Sequence, residues 1–318
     1  MNEALLLDIR TALEKSQHIL VVSHIRPDGD AVGSTLGLGL ALQEAGKQAQ
    51  MVLSDGVPSS FRYLPGVEKI SREPAGEVDL LIAVDCSDLE RAGTALGGYG
   101  QPDINIDHHI TNLNFAKINL VDKKAVSATE ILAENLQAFG LPLTKPIGMA
   151  LLTGMVTDTL GFRTQNLTSK ALRIAADLMD LGIDMPFIYQ QTLGQRSFEA
   201  IQFWGTGLSR LKRDGRMIWT SLNLKERKAI GYPGRDDADL INVLSSVRDC
   251  DIALIFVEQP DQKVKISWRA RPGSDASQVA QSFGGGGHTA ASGAEIKGTL
   301  KEVQRNVLEA TRTVLDGK

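Results

Sequence analysis

HILVVSHIRPDGDAVGS, residues 18–34, is the stretch from which the fold is read. It opens with a short β-branched apolar run, HILVVSH, and breaks at Arg26, Pro27 and Gly29. A helix-length segment, DAVGSTLGLGLALQEA at 30–45, follows and stops before Gly46. Strand, turn and helix in that order are the start of a βαβ unit. The pattern then repeats. QAQMVLS at 48–54 reads as a strand. VDLLIAVD at 78–85 reads as another, apolar throughout as a central parallel strand is when both of its faces are covered. INID at 104–107 and AKINLVD at 116–122 are shorter strand candidates, and helices are expected over 127–139, 146–157 and 168–181. The first half is therefore expected to be an α/β domain built on a parallel sheet.

The second half has another texture. After 183–204, where Pro186 starts a helix-like stretch, come hairpin-like strands at 216–222, 251–259 and 263–271. Helices are expected near 236–246, 275–283 and 299–315, which gives a smaller α/β domain with a mixed sheet. The boundaries read as 1–184 for the first domain, 185–204 for a helical linker and 205–318 for the second.

Composition narrows the classes. At 318 residues, two domains are expected, and 42% apolar residues are enough for two cores. The longest apolar runs fall far short of the ~20 residues of a membrane span. The N-terminus shows no basic region or cleavage site of a signal peptide. Two cysteines, Cys86 and Cys250, are too few for a disulfide framework, so a cytoplasmic setting is expected. Net charge is −4, which argues against a broad basic footprint for long duplex nucleic acid. It divides unevenly, with −8 over residues 1–200 and +4 over 201–318.

Chemistry is concentrated at segment ends. His24, Asp28 and Asp30 follow the first strand, and Asp85 ends the apolar strand at 78–85. Asp107, His108 and His109 follow the strand at 104–107, and Asp158 closes the helix at 146–157. In an open parallel sheet, ligands bind beyond the carboxyl ends of the strands. Each signal alone has a plainer reading. Asp30 caps a helix, Asp85 sits in a satisfied turn, and a carboxylate at a helix C-terminus is merely unfavourable. Asp88 reads as a helix cap and Cys86 as a small buried residue. The paired histidines are harder to dismiss in a chain with five. One can bind metal while the other faces substrate, and Asp107 can orient a histidine from behind. Four carboxylates and two imidazoles at one sheet edge suit Mn²⁺ or Mg²⁺. Six ligands with one carboxylate shared suit two cations. In the second half, FGGGGHTAASGA at 283–294 carries Gly284, Gly285, Gly286 and Gly287 before His288. Such a run is either a flexible loop or a set of exposed amides that binds an anion.

The order and content of these motifs resemble the DHH phosphoesterase superfamily, named for the triplet that stands at 107–109. The glycine run resembles the GGGH signature of the accompanying DHHA1 domain. The resemblance implies that His24, Asp28 and Asp85 hold one divalent cation. Asp30, Asp85, His108 and Asp158 would hold the other, with Asp85 bridging and His109 facing the scissile phosphate. It also implies that Arg269 and His288, with Gly284 to Gly287, grip a nucleotide across an interdomain cleft. Within the superfamily, length and layout are most similar to the bifunctional oligoribonuclease and PAP phosphatase group. The expected activity is hydrolysis of very short RNA or linear dinucleotides such as pApA to 5′-mononucleotides, and of PAP to AMP. Mn²⁺ is the expected cofactor, with Mg²⁺ or Co²⁺ as substitutes, and His109, Asp85 and Asp107 are the expected catalytic residues. A cyclic-di-AMP phosphodiesterase and a non-catalytic nucleotide or metal sensor are the alternatives. A homodimer is expected, through apolar faces on the helix at 127–139 or the linker, and neither a membrane nor a long duplex is an expected partner.

Overall fold

A computed structural model describes residues 3–96 and 98–316. It divides into two compact units, Met1–Gln195 and Arg196–Lys318.

In the first unit, α1 (Glu3–Lys15) leads into β1 (His18–Val22), α2 (Gly29–Glu44), β2 (Gln48–Val52) and the short β3 (Ile70–Ser71). Then come β4 (Leu80–Val84), α3 (Leu89–Ala92), β5 (Ile104–Asp107) and β6 (Ile118–Val121). The unit closes with α4 (Ala128–Asn135), α5 (Lys145–Asp158), α6 (Ser169–Met179) and α7 (Met185–Tyr189), the last running into a π-helical turn at Gln190–Gly194. All six strands are parallel, in the order β3-β2-β1-β4-β5-β6. The apolar runs explain the centre: all of β4 and four of the five residues of β1 are buried. The order runs leftward from β1 and rightward from β4, so the sheet reverses direction of growth between these two strands. That is the place where doubly wound sheets open a crevice at their carboxyl edge.

Helices α2 and α5 are apolar on nearly every side because both are enclosed, and they pack at backbone distance. A side chain at Gly33 of α2 would stand 2.5 Å from the Ala150 carbonyl of α5. The first turn of α2 and the last turn of α5 are thus held together at the sheet edge. Expected and observed helices agree closely here. One correction concerns the helix expected at 127–139: its apolar residues Ala128, Ile131 and Leu132 are buried in the core, so it has no apolar face left to offer a second copy. The stretch expected as a linker is divided between the units. Ile188 of α7 is buried in the first core, whereas the following helix belongs to the second.

The second unit begins with that helix, α8 (Phe198–Leu208), followed by β7 (Lys212–Asp214), β8 (Met217–Leu222), α9 (Leu224–Ile230) and α10 (Leu240–Leu244). It continues with β9 (Ile252–Gln259), β10 (Lys263–Ala270), α11 (Ala276–Ser282), β11 (Gly286–His288), β12 (Ala291–Lys297) and α12 (Leu300–Asp316). The sheet order is β11-β12-β10-β9-β8-β7, with β8 and β9 parallel and every other pair antiparallel. Residues alternate between two cores, as period-2 strands require. Met217, Trp219, Leu254, Phe256, Ile266 and Trp268 enter one; Ile218, Leu222, Ala253, Ile255 and Val257 enter the other with Phe203. The helix expected at 236–246 is only one turn long, because Ala238 and Asp239 are left-handed, with φ of 51° and 65°. Among the described residues, no helix is long and apolar enough to cross a membrane.

Candidate metal centre

Each candidate in the first unit occupies the segment end that the sequence suggests, but the local roles differ in detail. Asp28, rather than Asp30, caps α2: its Oδ1 accepts from the amides of Asp30 and Ala31 at 3.1 and 3.0 Å. Asp30 lies in the first turn and is buried. Asp85 follows β4 with φ of 51°, in the left-handed region that costs a non-glycine residue about 1–2 kcal/mol. Its amide is held by the Ile106 carbonyl at 2.9 Å, so β5 beside β4 enforces that backbone. Strain of this kind is retained where the surrounding structure dictates a side chain's direction. Asp158 is the last residue of α5.

Sheet order brings these ends together. His24 beyond β1 and Asp85 beyond β4 face each other across the point of reversal, with Nε2 3.4 Å from Oδ2. The Asp28 carboxylate is 3.8 Å from the same nitrogen. The other ring nitrogen of His24, Nδ1, lies 2.8 Å from the Ile25 carbonyl. A carbonyl only accepts, so Nδ1 carries the hydrogen and Nε2 turns to the carboxylates. His108 Nε2 is 3.6 Å from Asp85 Oδ1, 3.6 Å from Asp158 Oδ2 and 3.8 Å from Asp30 Oδ2. Three overlapping donor groups result: His24, Asp28 and Asp85; Asp30, His108 and Asp158; and Asp85, Asp107, His108 and His109. Within each, the ligand atoms lie within 4.8 Å of one another.

The electrostatics are those of crowded carboxylates. Burial alone would favour neutral His24, yet Asp28 and Asp85 outweigh it and raise the imidazole to about 10. His108 is likewise raised to about 10 against its burial, by Asp85, Asp30 and Asp158. Burial pushes Asp30 well above the ordinary carboxylate range, and the charges of Asp85 and Asp158 add to this. Burial also raises Asp158, to about 7; His108 opposes the shift, while Asp85 and Asp28 add to it. Asp85 is held far below its usual range despite complete burial, because the His108 and His24 imidazoles lie beside it at 3.6 and 3.4 Å. Its Oδ1 is buried without a hydrogen-bond partner. An orphaned carboxylate oxygen inside a set of oxygen and imidazole donors fits divalent cations of the Mn²⁺ or Mg²⁺ type.

His109 lies 3.6 Å from Asp85 Oδ1 through Nδ1, but its shorter contact is to Asp107. Its Nδ1 donates to Asp107 Oδ1 at 2.7 Å, while the other oxygen of this buried carboxylate accepts from Asn112 Nδ2 at 2.5 Å. Asn112 Nδ2 also lies 2.8 Å from Asn105 Oδ1, and Asn112 Oδ1 accepts the Asn114 amide at 2.7 Å. Asn105 and Asn112 were not singled out by the sequence reading. Their signal was weak: one asparagine in an apolar strand and another three residues past the histidine pair. Cys86 is buried, and burial pushes its thiol up to about 12, so it is a packing residue. Asp88 caps α3 through the Arg91 amide.

In the second unit, Arg269 sits on β10. Its Nε donates to Asn242 Oδ1 at 3.3 Å, and its guanidinium also donates to the Trp268 carbonyl at 3.1 Å. Gly286, Gly287 and His288 form the edge strand β11, paired with Gly293, Ser292 and Ala291, so half of the glycine run is not the open loop its composition suggests. Gly285 is needed for packing: a Cβ there would lie 2.6 Å from the Ala294 side chain. Trp268 is wholly buried, Trp204 donates to the Ala238 carbonyl, and Tyr63 bonds to Thr153.

Comparison with known proteins agrees with this geometry. Residues 18–155 match the DHH family, N-terminal domain, and residues 231–316 match the DHHA1 domain. The chain is 32% identical over 303 residues to the bifunctional oligoribonuclease and PAP phosphatase NrnA of Thermus thermophilus, covering 93% of this chain and 90% of that protein. It is 27% identical over 294 residues to the protein of the same name from Bacillus subtilis, covering 87% and 89%. The crystal structure of an exopolyphosphatase-related protein from Bacteroides fragilis superposes with a TM-score of 0.91 at 25% identity, over 98% of this chain and 96% of that one. The chain belongs to the DHH phosphoesterase family, in the form that carries a DHHA1 domain after the DHH domain.

Proposed function

We propose that this phosphoesterase hydrolyses very short oligoribonucleotides and linear dinucleotides to 5′-mononucleotides, and PAP to AMP. The observation that carries the reading is the set of three donor groups linked through Asp85 and His108 at the carboxyl edge of the sheet. The names of the similar proteins from T. thermophilus and B. subtilis support the substrate class. His24, Asp28 and Asp85 hold one divalent cation, and Asp30, Asp85, His108 and Asp158 hold the other. Such cations, Mn²⁺ in our reading, supply Lewis acidity toward a phosphate and lower the pKa of a water.

The protein's own groups do the rest. Asp85 is shared between the two halves of the site, and its enforced backbone keeps it there. Asp107 fixes His109 through Nδ1, so His109 acts on the scissile phosphate through Nε2, steadying a non-bridging oxygen or passing a proton to the leaving group. In the second unit, Arg269, His288 and Gly284 to Gly287 recognise the terminal nucleotide. Cys86 and Cys250 are both buried and free, and we place the protein in the cytoplasm. We also propose a homodimer, through the stretch 185–204, where Phe187, Tyr189, Phe198 and Ile201 are exposed, rather than through α4; light scattering tests it.

The test is a substrate panel with Mn²⁺: RNA of about two to twenty nucleotides, pApA, cyclic di-AMP and PAP, with products resolved by chromatography. Activity greatest at two to four nucleotides is expected. Activity confined to cyclic di-AMP rejects the reading. Mn²⁺ binding with no turnover on any substrate returns the chain to a sensor.

A further inference from the structure

Asp30 comes from α2, but another helix holds it. The Ala128 amide donates to Oδ2 at 2.7 Å, and the Thr129 amide and hydroxyl donate to Oδ1 at 3.0 and 2.6 Å. Asp30 and Thr129 are both buried, 99 residues apart in the chain. We propose that Thr129 is a positioning residue: its hydroxyl fixes the Asp30 carboxylate in the orientation that receives a divalent cation, and so sets the cation affinity of the Asp30, His108 and Asp158 side of the site. This rests on the metal-centre reading above.

The directions of the hydrogen bonds follow from what each group can do. With a cation bound, the Asp30 carboxylate is ionised and only accepts, so the single hydroxyl hydrogen of Thr129 points at Asp30. Ser127 Oγ lies 2.8 Å from Thr129 Oγ1 and must then be the donor to it. Ser127 Oγ in turn accepts from the Glu130 amide at 3.0 Å. One ordered chain therefore runs from the Glu130 amide through two hydroxyls to Asp30. Its start is anchored, because the buried Glu130 carboxylate accepts the Val126 amide at 2.7 Å and pairs with Lys170 at 3.3 Å. Three donors on one side of Asp30 leave the side toward His108 for the cation. The α4 N-terminus adds a favourable partial positive charge. Helix α5 closes the back: a Cβ at Gly154 would stand 2.6 Å from the Thr129 hydroxyl and 2.8 Å from Asp30 Oδ1. Asp28, on the other side of the site, is held differently. The Asp28 side chain is 58% exposed, and the Asp30 and Ala31 amides that donate to it come from its own helix.

The test is Mn²⁺ titration of the full chain after chelation, by calorimetry and by electron paramagnetic resonance. Thr129→Val keeps the shape and removes the hydroxyl. It is expected to weaken Mn²⁺ binding about tenfold or more on one side of the site. Thr129→Ser keeps the hydroxyl and is expected to bind as the wild type does. Thermal melting of the metal-free proteins checks that both variants are folded. If Thr129→Val binds Mn²⁺ as tightly as the wild type, or Thr129→Ser loses as much as Thr129→Val, the positioning role is overturned while the metal centre stands. If the wild type itself binds no Mn²⁺, the metal-centre reading fails and the inference with it. Should Thr129→Val not fold, Ser127→Ala breaks the same chain, and unchanged affinity there overturns the proposal.

Discussion

The two units place their chemistry on their sheets in opposite ways. The first has parallel strands that all point at one edge, so residues far apart in sequence meet beyond the strand ends. Its candidate groups are crowded, mostly buried and held by second partners, as Asp30 is by Thr129 and Asp107 is by Asn112. The second unit is mainly antiparallel. Its candidate groups lie on β10 and around the edge strand β11, and Arg269 is held by hydrogen bonds to Asn242 and the Trp268 carbonyl, near the carboxylates of Asp237 and Asp239. Interdependent groups should fail together, whereas separately held groups should fail one at a time and by degrees.

The largest effect is expected at the most shared residue. Asp85→Asn should lower turnover on every substrate by about a thousandfold or more, since both cation positions lose a charged ligand. Asparagine also tolerates the left-handed backbone, so the fold should persist. Substantial Mn²⁺-dependent activity in this variant would break the idea of an interdependent centre. Asn112→Ala comes next. It frees Asp107 and, through it, His109, and should reduce kcat about tenfold to a hundredfold. Mn²⁺ affinity should stay near wild type, and calorimetry beside steady-state kinetics separates the two. A comparable loss of Mn²⁺ binding would place Asn112 with the cation ligands instead.

In the second unit, Arg269→Ala should raise KM for a dinucleotide about tenfold to a hundredfold, the worth of one charged hydrogen bond. Turnover of bis-p-nitrophenyl phosphate should be unchanged. Equal losses on both substrates would erase the distinction between the units. The smallest effect on activity is expected at Asp237. This buried carboxyl is raised to about 6 by burial and by its neighbours Asp236 and Asp239. A raised acid stabilises the fold while protonated. Its contribution is complete below the ordinary value of 3.8 and lost as pH rises through about 6. Asp237→Asn should therefore leave stability unchanged near pH 4 and increase it by about 1–3 kcal/mol at pH 7, read from urea unfolding. A flat difference across that range would show that Asp237 is not strained.

Much of the first unit was legible in advance. LLIAV and HILVV are too apolar to be anything but enclosed strands, and the turns after them carry His24, Asp28, Asp30 and Asp85. Less of the second unit was legible. The glycines at 284–287 carry no strand signal, and only pairing with β12 makes a strand of Gly286 to His288. The one-turn length of α10 depends on left-handed backbone at Ala238 and Asp239, which no periodicity announces.

By itself, the sequence determined the list of groups and their attachment to strand and helix ends, because apolar periodicity and turn residues are local properties. It could not order the strands, since hydrogen bonding between strands is indifferent to their separation along the chain. Only the tertiary structure set β1 beside β4, and so put His24 against Asp85. Only it carried Thr129 of α4 to Asp30 of α2, where a buried carboxylate must find its donors wherever the packed chain supplies them.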